Sequence, residues 1–319
     1  MNKFIRNVVA LGAILTVFSG CSFFALNPEK DGDKIVKDGI KNFYDVNVAS
    51  FEGNLKGNSL DAPGIGLDGK STTPQSLSVD VSFSGSGNIK DPKNLLLNLK
   101  FDGSGSLGKQ NENASGEIKV NKSDLYFLVS KISSFGGILP EKTIKPILAQ
   151  WWKTQVPQDL IDSLQKSAAF GDESNLTTEE KKAKELLKNT QFFSGAKYIG
   201  EENGAYHYET LLDNTAVETF LKESGKIYGT TVSDDQIKTI DDNLKNLQLK
   251  AEFWVGVADK TVHKVKFDVK ANDAVSGAKM DAVFNASIDN INTPVTVEAP
   301  KDAKEFDPAS IFGGVAQAQ

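Results

Sequence analysis

The sequence has very little cysteine, arginine and histidine for a chain of 319 residues. It contains one cysteine, Cys21, one arginine, Arg6, and two histidines. A single cysteine excludes an intrachain disulfide and a cysteine-based metal site. Because the one arginine lies near the N-terminus, the rest of the chain has no guanidinium group for bidentate contacts with phosphates or bases. Together with a formal net charge of −6, this argues against nucleic acid as a partner.

The residues of common catalytic sites are also scarce. Neither His207 nor His263 has a helical carboxylate at metal-ligand spacing, and the chain has no G-x-S-x-G elbow for a nucleophilic serine. We therefore interpret both histidines as ordinary strand residues; a metal site or an acid–base pair built by the fold is the alternative. The prediction is a binding protein that is not an enzyme and has no metal or other cofactor.

One glycine-rich stretch matches a nucleotide-binding pattern. Residues 64–71 fit G-x-x-x-x-G-K-[ST], and residues 103–109 nearly repeat the pattern without the final Ser or Thr. A phosphate loop requires a helix directly after it, so that backbone N–H groups point at the phosphates. Pro74 follows too closely for that helix. Glycine-rich hairpin loops are the interpretation that we prefer.

The N-terminus has the pattern of an export signal. A basic segment, MNKFIRN, precedes the apolar segment VVALGAILTVF and then Ser19-Gly20-Cys21. The last three residues resemble a bacterial lipobox, which implies cleavage before Cys21 and a diacylglycerol thioether on its sulfur. This predicts an extracytoplasmic lipoprotein of a bacterial cell envelope, anchored to the membrane through Cys21. The alternatives are an uncleaved membrane helix over residues 8–26 and a plain secretory signal.

Alternating apolar and polar residues predict an antiparallel sheet. The paired runs that predict hairpins are 77–83 with 95–101, 118–120 with 125–129, 196–200 with 205–211, and 247–257 with 265–269. Single strands are expected at 46–55, 280–288 and 294–300. Adjacent hairpins with few helices between them favour an α+β fold over parallel β-α-β units.

Helical spacing, capping boxes and local composition predict the helices and one loop. Apolar residues at helical spacing predict helices over 34–44 and 144–152, with a possible continuation over 157–167. Capping-box patterns at Thr177, Thr215 and Ser233 predict three further helix starts. Residues 57–74 are rich in Gly, Ser, Asp and Pro and predict a loop.

The C-terminal third resembles a known lipoprotein family. Its Phe-Trp-Val strand at 253–255, the polar turn 259–261, the return strand VHKVKF at 262–267 and the closing PVTVEAP at 294–300 are similar to the end of LolA-like and LppX/LprG-like lipoproteins. The resemblance implies a curved antiparallel sheet, a half-barrel, wrapped around several helices. It also implies an apolar cavity that holds a lipid.

These observations predict the organisation and the site. We expect a signal peptide at 1–20, a lipidated N-terminus and short tether at 21–33, one LolA/LppX-like domain at 34–306 and a tail at 307–319. Odd-numbered residues of the strands should share an apolar face that binds a lipid or acyl chain. The predicted ligand-binding residues are Phe83, Phe101, Phe253, Val255, Val265 and Phe267. A structural or interaction lipoprotein of the envelope, with a filled core and no ligand, is the main alternative. An enzyme or a lipoprotein accessory to envelope machinery is the third.

Overall fold

Antiparallel strands are the main secondary structure of the described residues. The computed structural model describes residues 26–65, 71–88, 94–108, 110–133, 145–158, 161, 176–272 and 279–307. The strands within these residues are β1 Val48–Ile65, β2 Ser71–Asn88, β3 Leu96–Leu107, β4 Gln110–Asn121, β5 Asp124–Ile132, β6 Trp151–Gln155, β7 Phe193–Glu202, β8 Ala205–Leu212, β9 Leu247–Gly256, β10 Val262–Asn272, β11 Lys279–Asp289 and β12 Lys304–Glu305. The helices are α1 Gly32–Phe43, α2 Thr178–Asn189, α3 Asn214–Ile227 and α4 Asp234–Lys245.

The strands form one sheet in the order β12-β6-β5-β4-β3-β2-β1-β11-β10-β9-β8-β7. Most neighbours that are consecutive in sequence form hairpins, whereas α3 and α4 lie between β8 and β9. Strand β12 runs parallel to β6. The predicted α+β class is thus confirmed as a mostly antiparallel sheet with helices. All four predicted hairpins are present, and β10 and β11 begin and end close to where the alternation predicted.

The described chain groups into two compact units. Unit 1 contains described residues of 1–47, 165–245 and 249–266, and unit 2 contains those of 48–164, 246–248 and 267–319. The expected domain boundaries at 34 and 306 stay a prediction. The signal peptide at 1–20, Cys21 and residues 308–319 lie outside the described part of the chain.

Unit 1 has its core between α1 and the strands β7–β9. Val36 of the helix is 1% exposed, and Tyr208 on β8 is fully buried. Gly39 allows the helix to approach β9 closely, because a Cβ at this position would lie 2.7 Å from Cγ1 of Val255. The Asp33 carboxylate accepts a 2.7 Å hydrogen bond from the Ala196 backbone N–H, which fixes α1 to β7. The helix predicted from the spacing at 34–44 is confirmed.

Two of the three predicted capping boxes are present. Thr177 and Glu180 exchange both hydrogen bonds at the start of α2, and Ser233 and Gln236 do the same before α4. The box predicted at Thr215 is wrong. The carboxylate of Asp213 caps α3 instead, accepting a 3.0 Å hydrogen bond from the Ala216 N–H.

Three predictions about local structure in unit 2 are wrong. Residues 57–65 and 71–74 of the predicted loop are strand residues instead, because β1 extends to Ile65 and β2 begins at Ser71. Cross-strand partners on β2 and β11 complete the backbone hydrogen bonds of β1 despite its glycine-rich composition. Trp151 and Trp152 lie on β6 and not on a helix, preceded only by a 3-10 turn at Lys145–Ile147.

Residues 294–300 do not form the expected strand, which is the third wrong prediction. The strand that follows them is the two-residue β12, which pairs with Trp152 and Lys153 of β6. Phe306, directly after β12, packs edge-on against Phe127 and Trp152 with ring centroids 5.0 and 5.9 Å apart. These aromatic contacts hold residues 304–306 on β6, so the closing strand lies after the proline-bracketed segment and not within it.

Candidate functional site

The sheet of unit 2 has one apolar face and one polar face. Residues directly opposite one another in an antiparallel pair point to the same side. The register therefore gathers the odd residues of β1–β3 and the even residues of β4 and β11. Their large apolar members with described side chains are Phe51, Leu55, Leu77, Val79, Val81, Phe83, Leu97, Leu99, Phe101, Ile118, Val120, Met280, Phe284 and Ile288. We call this set the apolar face.

The opposite side of the same strands carries mostly Ser, Asn, Asp, Glu and Lys. Lys56 on β1 and Asp80 on β2, which are cross-strand neighbours there, form a 2.9 Å ion pair. The polar side is thus typical of a solvated sheet surface. The apolar face is only partly covered: most of its side chains are half-buried, and Leu55 is 37% exposed.

Phenylalanine rings form a continuous row across the apolar face. Phe83 lies 6.4 Å from Phe51 and 6.1 Å from Phe284, measured between ring centroids. Phe284 in turn lies 6.1 Å from Phe267 of β10, with an interplanar angle of 22°. Phe101 is the direct cross-strand partner of Phe83. The row therefore offers a wide, adaptable aromatic surface to an apolar molecule.

Glycines on neighbouring strands make room for these rings. A Cβ at Gly53 would lie 2.6 Å from Cζ of Phe83, and one at Gly85 would lie 2.9 Å from Cζ of Phe51. The same relation holds between Gly116 and Phe101, at 3.0 Å. Each ring thus lies across the backbone of the next strand, where any larger residue would collide with it.

The predicted ligand-binding residues fall into both units. In unit 2, Phe83 and Phe101 are half-buried and Phe267 is 5% exposed, all on the face described above. In unit 1, Phe253 and Val255 are 2% and 1% exposed, and Phe253 packs edge-on against Phe193 at 5.0 Å. Val265 of unit 1 is half-buried.

A polar cluster in unit 1 was missed by the sequence analysis, which treated its histidine as an ordinary strand residue. His207 on β8 is 8% exposed, and its ring stacks on Trp254 at 4.0 Å with an interplanar angle of 13°. Its Nδ1 lies 3.1 Å from Oε1 of Glu202, and its Nε2 lies 2.9 Å from Oε2 of Glu252. Carboxylates only accept hydrogen bonds, so the ring donates to both only when each nitrogen carries a proton.

Two lysines complete this cluster. Lys266 donates a 2.8 Å hydrogen bond to Glu252, and the ammonium of Lys264 lies 4.2 Å from the Trp254 ring centroid. Burial raises the pKa of Glu252, but the hydrogen bonds from Lys266 and His207 outweigh it, so the net pKa is lower than usual. The hydrogen bond from the Trp254 indole N–H is the main reason why the pKa of Glu202 is lowered.

The ring nitrogens of His207 and the carboxylates beside them are already engaged with one another, which is typical of a cross-strand structural network. Among the described residues, no group of three or more His, Cys, Asp and Glu side chains has an arrangement suited to a metal ion. The glycine-rich motif at 64–71 ends with Ser71 at the start of β2, so the helix that a phosphate loop needs is replaced by a strand. The apolar face is therefore the candidate site.

The chain was compared with known proteins. No family model matches it, and no curated protein is significantly similar in sequence. Within the described ranges, no helix is long and apolar enough to cross a membrane.

Proposed function

We propose that the protein is a membrane-anchored, extracytoplasmic lipoprotein that binds a lipid or another hydrophobic ligand on the apolar face of unit 2. The observation that carries this proposal is the row of phenylalanines, all but Phe267 half-buried, on one side of a sheet whose other side is polar. In this proposal the chain is LolA-like or LppX/LprG-like, and its sheet is a half-barrel wrapped around the helices. The role is one of binding or carrying, without catalysis.

The exposed fractions of the phenylalanines on the apolar face support a binding surface and not a filled core. Phe253 in unit 1 shows what a core aromatic residue looks like in this protein, since only 2% of it is exposed. Phe51, Phe83, Phe101 and Phe284 are all more exposed than that and lie on one face. A contiguous apolar patch in contact with water is unfavourable, and such patches commonly mark ligand or partner sites. A bound acyl chain would remove this surface from water at roughly 25 cal/mol per Å².

A fluorescent fatty-acyl probe tests the site directly. We expect saturable binding of the probe to the chain from residue 22 onward. We expect about tenfold weaker binding to the Phe83→Ala Phe101→Ala double variant, because the loss of about 1.4 kcal/mol of apolar contact lowers the affinity tenfold. Ser84→Ala is the matched control, since Ser84 is exposed and points to the polar side of β2. Fluorescence titration gives the three dissociation constants.

Two results would contradict the proposal. Absence of saturable binding to the unsubstituted chain would favour the alternative, a structural or interaction lipoprotein of the envelope. An equal loss of affinity in Ser84→Ala would place the probe somewhere other than the apolar face.

The membrane anchor has its own test. We expect Cys21→Ser to leave the precursor uncleaved or to release the protein from membranes, because serine has no thiolate to receive the diacylglyceryl group. Membrane fractionation and intact-mass measurement of the N-terminus provide the readout. Cleavage and anchoring like those of the unsubstituted protein would show that Cys21 is not the lipidated residue.

A further inference from the structure

The N-terminal end of the described chain is tied to unit 1 at a defined point. The Tyr208 hydroxyl donates a 3.1 Å hydrogen bond to the Pro28 carbonyl oxygen. Around this contact, the Asn27 N–H donates to the Asp31 carboxylate at 2.7 Å and the Asp31 N–H donates to the Asn27 carbonyl at 2.8 Å. Helix α1 begins at the next residue, Gly32. Residues 27–31 therefore form a hydrogen-bonded turn that is fixed to unit 1.

The chain between Cys21 and this turn is short and apolar. Seven residue steps separate Cys21 from Pro28, which span at most about 25 Å when fully extended. Phe23, Phe24, Ala25 and Leu26 follow the cysteine almost directly. Apolar residues of this kind favour the membrane interface over water.

The surface beside this turn carries exposed and amphipathic side chains. Strand β7 is the last strand in the sheet order, and the register with β8 shifts between Tyr198 and Gly200. At this irregularity Ile199 is 46% exposed. The Tyr198 ring lies 5.6 Å from Tyr208, the residue that holds Pro28, and 6.0 Å from Tyr206. Tyr198 and Tyr206 are both half-buried.

We propose that the surface formed by Tyr198 and Ile199 of β7 and Tyr206 of β8, here called the β7 edge, rests on the bilayer in which Cys21 is anchored. The proposal depends on the lipidation of Cys21 proposed above. An anchor within about 25 Å of Pro28 holds the β7 edge close to the headgroups. Tyrosine has an apolar ring and a polar hydroxyl that suit the membrane interface, and an exposed isoleucine gains free energy by leaving water there.

Spin labelling tests whether the β7 edge contacts the bilayer, and each labelled protein carries one substitution. Lipidation consumes the thiol of Cys21, the one cysteine of the chain, so Ile199→Cys introduces a single reactive thiol in the full, lipidated protein. A nitroxide at this position, in phosphatidylcholine vesicles, reports collisions with lipid-soluble oxygen and with a water-soluble nickel chelate. Lys197→Cys supplies a second position on the same strand. Lys238→Cys on α4, where the native side chain is 74% exposed, is the aqueous control.

We expect the ratio of oxygen to nickel collision rates to be several-fold higher at 199 than at 238, with an intermediate value at 197. Equal, aqueous ratios at 197, 199 and 238 in vesicle-bound protein would overturn the proposal. Failure of the anchor itself gives a different result: protein without a lipidated N-terminus does not float with the vesicles, and intact mass identifies it before labelling. The two proposals can thus fail separately.

Discussion

We expect Phe253→Ala to lower the free energy of unfolding by about 3–5 kcal/mol, the range for removing a buried phenylalanine side chain. Phe253 is 2% exposed, lies on β9 and packs edge-on against Phe193, so its neighbours cannot close the resulting cavity without moving strands. Chemical denaturation of the purified chain, monitored by far-UV circular dichroism, measures the loss.

Phe83→Ala is the matched comparison, because it removes the same atoms from a half-buried position on the apolar face. We expect a clearly smaller loss of stability there, since one side of the Phe83 ring already lacks packing partners. Equal losses in the two variants would mean that Phe83 is also a core residue. That result would weaken the case for a ligand-binding surface.

We expect Gly53→Ala to destabilise the protein by about 1–3 kcal/mol, which is typical of overpacking. The added Cβ would lie 2.3 Å from the Asn285 carbonyl oxygen on β11 and 2.6 Å from Cζ of Phe83. The first of these atoms belongs to the backbone, so the strands themselves must separate. Thermal or chemical unfolding of the purified variant measures the effect.

Gly57→Ala provides the control on the same strand and the same face. Its Cβ would meet Cγ1 of Val79 at 3.3 Å and Cβ of Ala282 at 3.5 Å, which small side-chain adjustments can accommodate. Alanine also loses less backbone entropy than glycine on folding, so Gly57→Ala should be neutral or stabilising by up to about 1 kcal/mol. Similar destabilisation in both variants would argue against the close contact between β1, β11 and the Phe83 ring.

Local patterns in the sequence were sufficient to predict the hairpins and most helices. The alternation at 77–83 and 95–101 predicts two strands from their own residues alone, and the structure pairs these runs in a hairpin. The reciprocal bonds of Thr177 with Glu180 likewise form within four residues. Such features depend on neighbours in sequence and can be derived from it.

The errors arise where a distant part of the chain decides the local structure. Residues 57–65 have a loop-like composition, yet β11 supplies partners for Gly57 and Ser59 from more than 200 residues away. Trp151 and Trp152 fit a helical spacing but pair with Leu128 and Phe127 on β5. Composition and periodicity carry no information on such partners, so tertiary pairing overrides local preference.

The site was predictable only in part for the same reason. Odd numbering places Phe83, Phe101 and Phe267 on one side of their own strands, but only the register shows the rings adjacent to Phe284. The His207 cluster depends entirely on register, because His207 lies opposite Trp254 and next to Glu252 through the pairing of β8 with β9. Strand alternation predicts the face on which each residue lies, whereas its cross-strand neighbour depends on the register of the paired strand.

The position of β1 in the sheet has a consequence for biogenesis. This strand pairs with β2 on one side and with β11 on the other, where Ser50 lies opposite Asp289. The β11 side of residues 50–60 therefore stays unpaired until residues 279–289 have been synthesised. Such long sequence separations slow folding, and an unpaired strand edge can pair with another copy in the meantime. An incompletely folded chain is thus prone to aggregation at this edge until β11 pairs with β1.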